Sequence, residues 1–158
     1  MLSIYKGSKS DEWETPQELI TRIKLFYPLS FDLAATKENA KAKQCFTKAD
    51  NSLKQNWDEI QGIAWLNPPF SKANQFFQKA AQSKNQIIAI YKASNMETDT
   101  WQKWILPHAK VHIIRKRVNY LDKNNPMRNG VPFGSALIFY RINPNPKHLP
   151  QGVTISQC

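Results

Sequence analysis

The chain has 158 residues, 41% hydrophobic and 22% charged, a make-up that fits one globular domain with one substantial core. No run approaches the roughly eighteen apolar residues of a membrane helix, and the polar residues 1–11 do not read as a secretory signal. Cys45 and Cys158 lie far apart with no CxxC partner, so neither a disulfide framework nor a zinc site is expected, and a reducing cytoplasm is the default compartment.

The predicted elements alternate between strand and helix. Residues 1–12 read as a flexible N-terminus. Thr15-Pro16-Gln17-Glu18 then opens a helix: Thr15 can cap, Pro16 suits the first helical position, and Glu18 completes a capping box. Leu19, Ile20, Ile23 and Phe26 recur at helical spacing and predict one buried face, ended by Tyr27-Pro28. A buried strand is expected over 29–34, a charged stretch over 37–43 and a short strand over 44–47. The apolar run Ile63-Ala64-Trp65-Leu66 stops abruptly at Asn67-Pro68-Pro69, which marks the end of a central strand. Ser71 can cap a helix carrying Phe76, Phe77, Ala80 and Ala81 on one side. A strand over 87–91, a short helix over 98–106, strands over 111–114 and 136–142, and a loop over 119–132 complete the domain, 13–143. His112, inside a strand pattern, reads as structural. The tail, 144–158, is rich in Pro, Asn and Gln and is expected to fray.

This order predicts an α/β fold with a largely parallel sheet covered on both faces. Ligands of such sheets bind beyond the carboxyl ends of the strands. Two candidate positions follow, after Leu33 and after Leu66. Charge supplies a separate signal. Residues 1–80 hold 11 basic and 9 acidic side chains, net +2; residues 81–158 hold 11 and 3, net +8, together the +10 of the whole. A one-sided basic excess is the footprint of a polyanion binder, and also of a merely soluble basic protein.

Asn67-Pro68-Pro69-Phe70 carries the most chemistry. Two prolines fix φ twice and delete two backbone donors, and Asn67, before a proline, is held extended. The Asn67 amide oxygen beside a rigid carbonyl makes two acceptors suited to an NH2 group on a flat molecule. Phe70 adds a ring for stacking, worth roughly 1–3 kcal/mol per base. A plain Pro-Pro turn between strand and helix is the simpler alternative.

Asn-Pro-Pro-Phe matches the amino-methyltransferase signature Asn/Asp/Ser-Pro-Pro-aromatic. The wider chain resembles the phage-type Dam-like DNA N-6-adenine methyltransferase family from Trp13 to about Tyr140. The resemblance rests on Trp13-Glu14-Thr15-Pro16, Phe31-Asp32-Leu33-Ala34-Ala35 with Asn39, Cys45-Phe46-Thr47, Asp50-Asn51-Ser52-Leu53, Trp57, Trp65 through Ser71, Trp101 and Arg117-Val118-Asn119-Tyr120. It implies a compact three-layer Rossmann-like methyltransferase sheet without a large target-recognition domain. It also implies S-adenosylmethionine as methyl donor and double-stranded DNA with a flipped adenine as partner; no metal is expected, since His108, His112 and His148 form no metal spacing. Location would be cytoplasmic, the host cytoplasm if phage-encoded.

In that picture Asn67 and the Pro68 carbonyl accept from the adenine amino group, Pro69 stiffens the corner, and Phe70 stacks on the base. Catalysis is then mostly orientation, a source able to supply about 7–11 kcal/mol. For the cofactor, Asp32 stands near the end of the first strand. Asp50, 18 residues later (50 − 32), is placed for ribose hydroxyls. Thr15-Pro16 would close the pocket, as the matching Thr-Pro does in similar enzymes. The glycine-rich loop of many methyltransferases is missing; Ala34-Ala35 stands there and permits close approach without positive φ. Arg115, Lys116 and Arg117 leave a strand, and Lys123 and Arg128 sit in the following loop. They read equally as phosphate contacts or as a solvated strand end. Methylation of RNA bases or of protein glutamine, and a non-catalytic nucleic-acid-binding relic, are the rival readings.

Overall fold

In a computed structural model, described over residues 11–121 and 130–155, the chain builds one seven-stranded sheet. Its elements are α1 (Gln17–Lys24), β1 (Leu29–Asp32), β2 (Gln44–Cys45), β3 (Ile63–Leu66), α2 (Ala73–Gln82), β4 (Ile87–Lys92), a π-helical segment (Thr100–Ile105), β5 (Ala109–Ile114), β6 (Ser135–Tyr140) and β7 (Gly152–Ile155), with 3-10 turns between. The strand order is β2-β1-β3-β4-β6-β5-β7.

The sheet is mixed rather than largely parallel. β1 pairs in parallel with β2 and β3, and β3 with β4. β6 is antiparallel to both β4 and β5, and β7 is antiparallel to β5. Five strands therefore run one way, and β6 and β7 run the other. The error has a simple origin. Every residue of β6, Ser-Ala-Leu-Ile-Phe-Tyr, is buried, and a strand buried on both faces shows a continuous apolar run whichever way it points.

Alternation of side chains across the sheet separates two cores. Ala64, Leu66, Ala89, Tyr91, Ala136, Ile138 and Tyr140 meet Phe76, Phe77 and Ala80 of α2. Trp65, Ile88, Ile90, Leu137 and Phe139 meet Ile20 and Ile23 of α1. α1 thus buries the two isoleucines its periodicity predicted, but Phe26 is about half exposed and stacks on His148 at 3.9 Å. The C-terminus of α2 is finished by Arg141, whose guanidinium donates to the Ala80 and Asn85 carbonyls. A cation there also complements the helix dipole.

Three local expectations are corrected. Thr15 does not cap α1: the cap position is Pro16, with no side-chain bond. Ser71 sits in a 3-10 turn, Phe70–Lys72, and its hydroxyl bonds to Asp11 instead of capping α2. The tail does not fray over its described part. Leu149 is buried, Arg22 donates to its carbonyl at 2.9 Å, and β7 pairs with β5 from Val111–Ile155 to Ile114–Gly152. His112 is structural, as read: its ring nitrogens meet Thr154 Oγ1 at 2.8 Å and the Pro150 carbonyl at 2.7 Å. A Cβ on Gly152 would lie 2.0 Å from the Ile113 carbonyl oxygen, so only glycine lets β7 approach β5.

Candidate active site

Because β1, β3, β4 and β5 run in one direction, their carboxyl ends share one edge of the sheet. That edge gathers Asp32 to Ala35, Asn67 to Phe70, Lys92 and Arg115 to Arg117. A cavity of about 450 Å³ opens there, within the range of small-molecule sites. Its wall takes Asp32, Leu33, Ala34 and Ala35 from the end of β1; Phe46, Thr47 and Lys48 beyond β2; Asn51 to Leu53 from the next turns; and Trp65, Asn67 and Pro69 around the end of β3. Residues 11–15 lie along its other side, and Lys72 and Phe76 complete it. The chain thus brings Thr15, Asp32, Ala34, Asn67 and Pro69 together, and leaves Pro16, Asp50, Pro68 and Phe70 outside the wall.

Asp32 is buried, with one carboxylate oxygen accepting from Ala34 N at 3.2 Å and the other from Lys41 N at 2.9 Å. Burial pushes its pKa up to about 6, against the opposing pull of those two amides and of nearby lysines. Beside it the buried Lys41 ammonium pairs with Glu14 at 3.1 Å, both in the wall. Asp50 is exposed. Its carboxylate accepts from Thr47 N at 2.8 Å and Thr47 Oγ1 at 3.0 Å, a capping box that holds its pKa below the ordinary carboxylate value. It therefore shapes the Thr47–Lys48 rim rather than facing the cavity.

The corner after β3 is fastened from the N-terminal side. Phe70 N donates to the Asp11 carbonyl at 3.1 Å, and Ser71 donates through N and Oγ to the Asp11 carboxylate at 2.7 and 2.6 Å. Asn67 Nδ2 donates to the Trp13 carbonyl at 2.6 Å and to Thr15 Oγ1 at 3.1 Å. Glu14 exchanges both backbone bonds with Leu121, at 3.0 and 2.9 Å. Pro69's carbonyl is taken by Lys72 N at 3.1 Å, whereas no described residue donates to that of Pro68.

Phe70 belongs to an aromatic cluster next to the cavity. Its ring meets Tyr91 at 5.9 Å and Phe133 at 5.5 Å, both edge-on, and Lys92 Nζ lies 5.3 Å from its centroid. Phe133 also touches Tyr120 at 5.8 Å and Trp13 at 6.2 Å, so Trp13 is shared between cluster and cavity. Sequence reasoning missed Asp11, the Trp13 carbonyl, Lys41, Lys92 and Phe133. Of these only Trp13 carried a signal, through Trp13-Glu14-Thr15-Pro16. Arg115, Lys116 and Arg117 are exposed, three strand positions from β3 along the sheet, or roughly 14 Å at the usual spacing. Lys123 and Arg128 lie outside the described residues. Among the described residues no group of three or more His, Cys, Asp or Glu is placed to hold a metal, and no helix is long and apolar enough to cross a membrane.

Known proteins share this sequence pattern. The family model for DNA N-6-adenine-methyltransferase (Dam) matches residues 3–153. A protein of Escherichia phage T1 named DNA N-6-adenine-methyltransferase is 33% identical over 100 residues, which cover 58% of this chain and 42% of the relative. A protein of the same name from Haemophilus phage HP1 (strain HP1c1) is 29% identical over 124 residues, covering 74% and 70%. The chain therefore matches under half the length of the T1 protein and about two thirds of the HP1 protein. With nearly its whole length matched, the chain belongs to the DNA N-6-adenine-methyltransferase (Dam) family.

Proposed function

We propose that the chain transfers a methyl group from S-adenosylmethionine to the exocyclic N6 of adenine in double-stranded DNA. The observation that carries this is the Asn67 side chain, its amide nitrogen fully engaged by Trp13 and Thr15 at the edge of a ligand-sized cavity. We read the sheet, with α1 and α2 on opposite faces, as a Rossmann-like methyltransferase sheet carrying antiparallel strands at one end.

The cavity residues fit the methyl donor by their chemistry. The buried acid Asp32, the Glu14–Lys41 pair and the indole and phenyl surfaces of Trp13, Trp65, Phe46 and Phe76 offer polar and flat apolar partners to a charged nucleoside. Ala34 allows close approach, Thr15 closes one side with Pro16 behind it, outside the wall, and Asp50 acts indirectly by fixing the rim at Thr47. When bound, S-adenosylmethionine would supply a methyl group on a sulfonium that departs as the neutral thioether S-adenosylhomocysteine, with one proton of the amino group released to water. The chain's own work is orientation. Asn67 Oδ1 and the Pro68 carbonyl accept from the adenine amino group and direct its lone pair, while Pro69 keeps the corner stiff. Phe70 offers its ring to the flipped base, which displaces the Lys92 ammonium from over it. Lys92, Arg115, Lys116 and Arg117 contact phosphates, as do Lys123 and Arg128, which lie outside the described residues. The location this reading implies is the cytoplasm, that of the host if the chain is phage-encoded.

The test is incubation of the full chain with labelled cofactor and unmethylated duplex DNA, followed by nucleoside analysis. Label in N6-methyl-2′-deoxyadenosine from the DNA is expected. Label confined to RNA or protein, or no transfer with cofactor bound, refutes the reading.

A further inference from the structure

A planar side-chain amide can face a substrate in two ways, related by a half-turn about its last bond. One presents an acceptor to an incoming amino group; the other presents a donor that repels it. In Asn67 the choice is already made. The Trp13 carbonyl, 2.6 Å from Nδ2, can only accept, so the group beside it has to be the NH2. Thr15 Oγ1 takes the second amide hydrogen at 3.1 Å. With both donors engaged, Oδ1 is left without a partner among the described residues, on a side chain that lines the cavity.

Thr15 has no competing duty in α1, where no side-chain cap bond forms, and it is fully buried. The segment carrying it is held on both sides of Trp13, by the Asp11 bonds to Phe70 and Ser71 and by the paired backbone bonds between Glu14 and Leu121. The geometry points to Thr15, acting with the Trp13 carbonyl, as the positioning device that locks the Asn67 amide with its oxygen presented to the amino group being methylated. This rests on the reading of Asn67 as an acceptor. It gives Thr15 a part in the chemical step that closing the cofactor cavity does not require.

Thr15→Val keeps the shape of the side chain and removes the acceptor. In the full chain, with duplex DNA and saturating cofactor, kcat is expected to fall about tenfold, while the calorimetric Kd for S-adenosylmethionine stays within about threefold. Thr15→Ser restores the hydroxyl and recovers most of the lost kcat. A weakened Kd with unchanged kcat, or equal losses in the Val and Ser variants, overturns the proposal in favour of cofactor contact or packing. A second measurement needs no folded variant at position 15. The Asn67 side-chain amide hydrogens of the unaltered protein, identified by their loss in Asn67→Ala, should exchange with solvent more slowly than those of an exposed asparagine; exchange at the free rate overturns the proposal. Wild-type turnover of Thr15→Val beside an inactive Asn67→Ala refutes the Thr15 assignment alone. Full turnover of Asn67→Ala removes the acceptor reading beneath it.

Discussion

The buried Asp32 predicts a pH dependence whose sign runs against ordinary acid denaturation. Burial raises its pKa from 3.8 to about 6, outweighing the Lys41 and Ala34 amides. Between those two values the native chain keeps a proton that the unfolded chain has released. Its contribution to stability is full below pH 3.8, falls as pH rises through 6 and is level above that. The interval 6 − 3.8 = 2.2, at about 1.4 kcal/mol for each pH unit, sets the loss at about 3 kcal/mol. Asp32→Asn cannot ionise, and although its NH2 clashes with one of the two backbone donors, that cost does not vary with pH. Urea unfolding of both proteins from about pH 4 to about pH 7 therefore isolates the effect in the difference, because the other carboxylates cancel. Wild type minus variant should drop by roughly 2.4 kcal/mol across this range, the rest of the loss lying below pH 4. A difference that is flat, or that rises with pH, shows that the two amides dominate burial and refutes the reasoning.

Asn67→Ala should bind S-adenosylmethionine with little change and lose at least about a hundredfold in transfer rate, measured under single turnover, since orientation carries the chemistry. Phe70→Leu should raise the KM for duplex DNA about tenfold while leaving cofactor affinity alone, a loss in line with one base-stacking contact. Affinity for duplex DNA should fall steeply between low and moderate salt, with the slope reduced by about one for each of Arg115 and Arg117 replaced by Ala; fluorescence anisotropy reads both, and a flat response excludes phosphate contact. Gly152→Ala drives a Cβ to 2.0 Å from the Ile113 carbonyl. Chemical denaturation should register a loss of about 2–3 kcal/mol as β7 separates from β5.

The sequence carried the features that depend on neighbours along the chain. Ile63 to Leu66 stops at Asn67-Pro68-Pro69 because prolines cannot continue a ladder, and β3 ends there. Ile20 and Ile23 face the core because a helix repeats its face every three to four residues. What stayed hidden depends on contacts that compete with the first local reading, most of them across the fold. Thr15-Pro16-Gln17-Glu18 reads locally as a capping box, yet Thr15 Oγ1 accepts from an amide 52 residues away. Asp50 sits at a spacing suggestive of ribose contact, yet a bond to Thr47, three residues before it, absorbs the carboxylate. β7 shows only a brief apolar alternation, Val153 and Ile155, and these side chains are exposed at the sheet edge rather than buried in a core. Gly152 explains the pairing only once β5 is known to lie beside it.

A methyl transfer in line needs two pockets at a fixed separation, one for the donor and one for the base, and a small chain has few elements with which to set it. Under the proposed reaction that separation is set here by sequence distance. Asn67 lies in the cavity wall and Phe70, three residues later, in the aromatic cluster. The two residues between them are prolines whose φ cannot relax. Trp13 ties the same two places together from the other side, lining the cavity and touching Phe133. Its carbonyl meanwhile holds the Asn67 amide. Motion of the N-terminal segment and motion of the corner are therefore coupled through direct hydrogen bonds from Asn67, Phe70 and Ser71 to residues 11–15 rather than averaged over a loop. Under the proposed reaction this is why residues 11–15, far from β3 in sequence, belong to the machinery. It is also why loosening either the double proline or the bond to Thr15 should cost turnover before it costs binding.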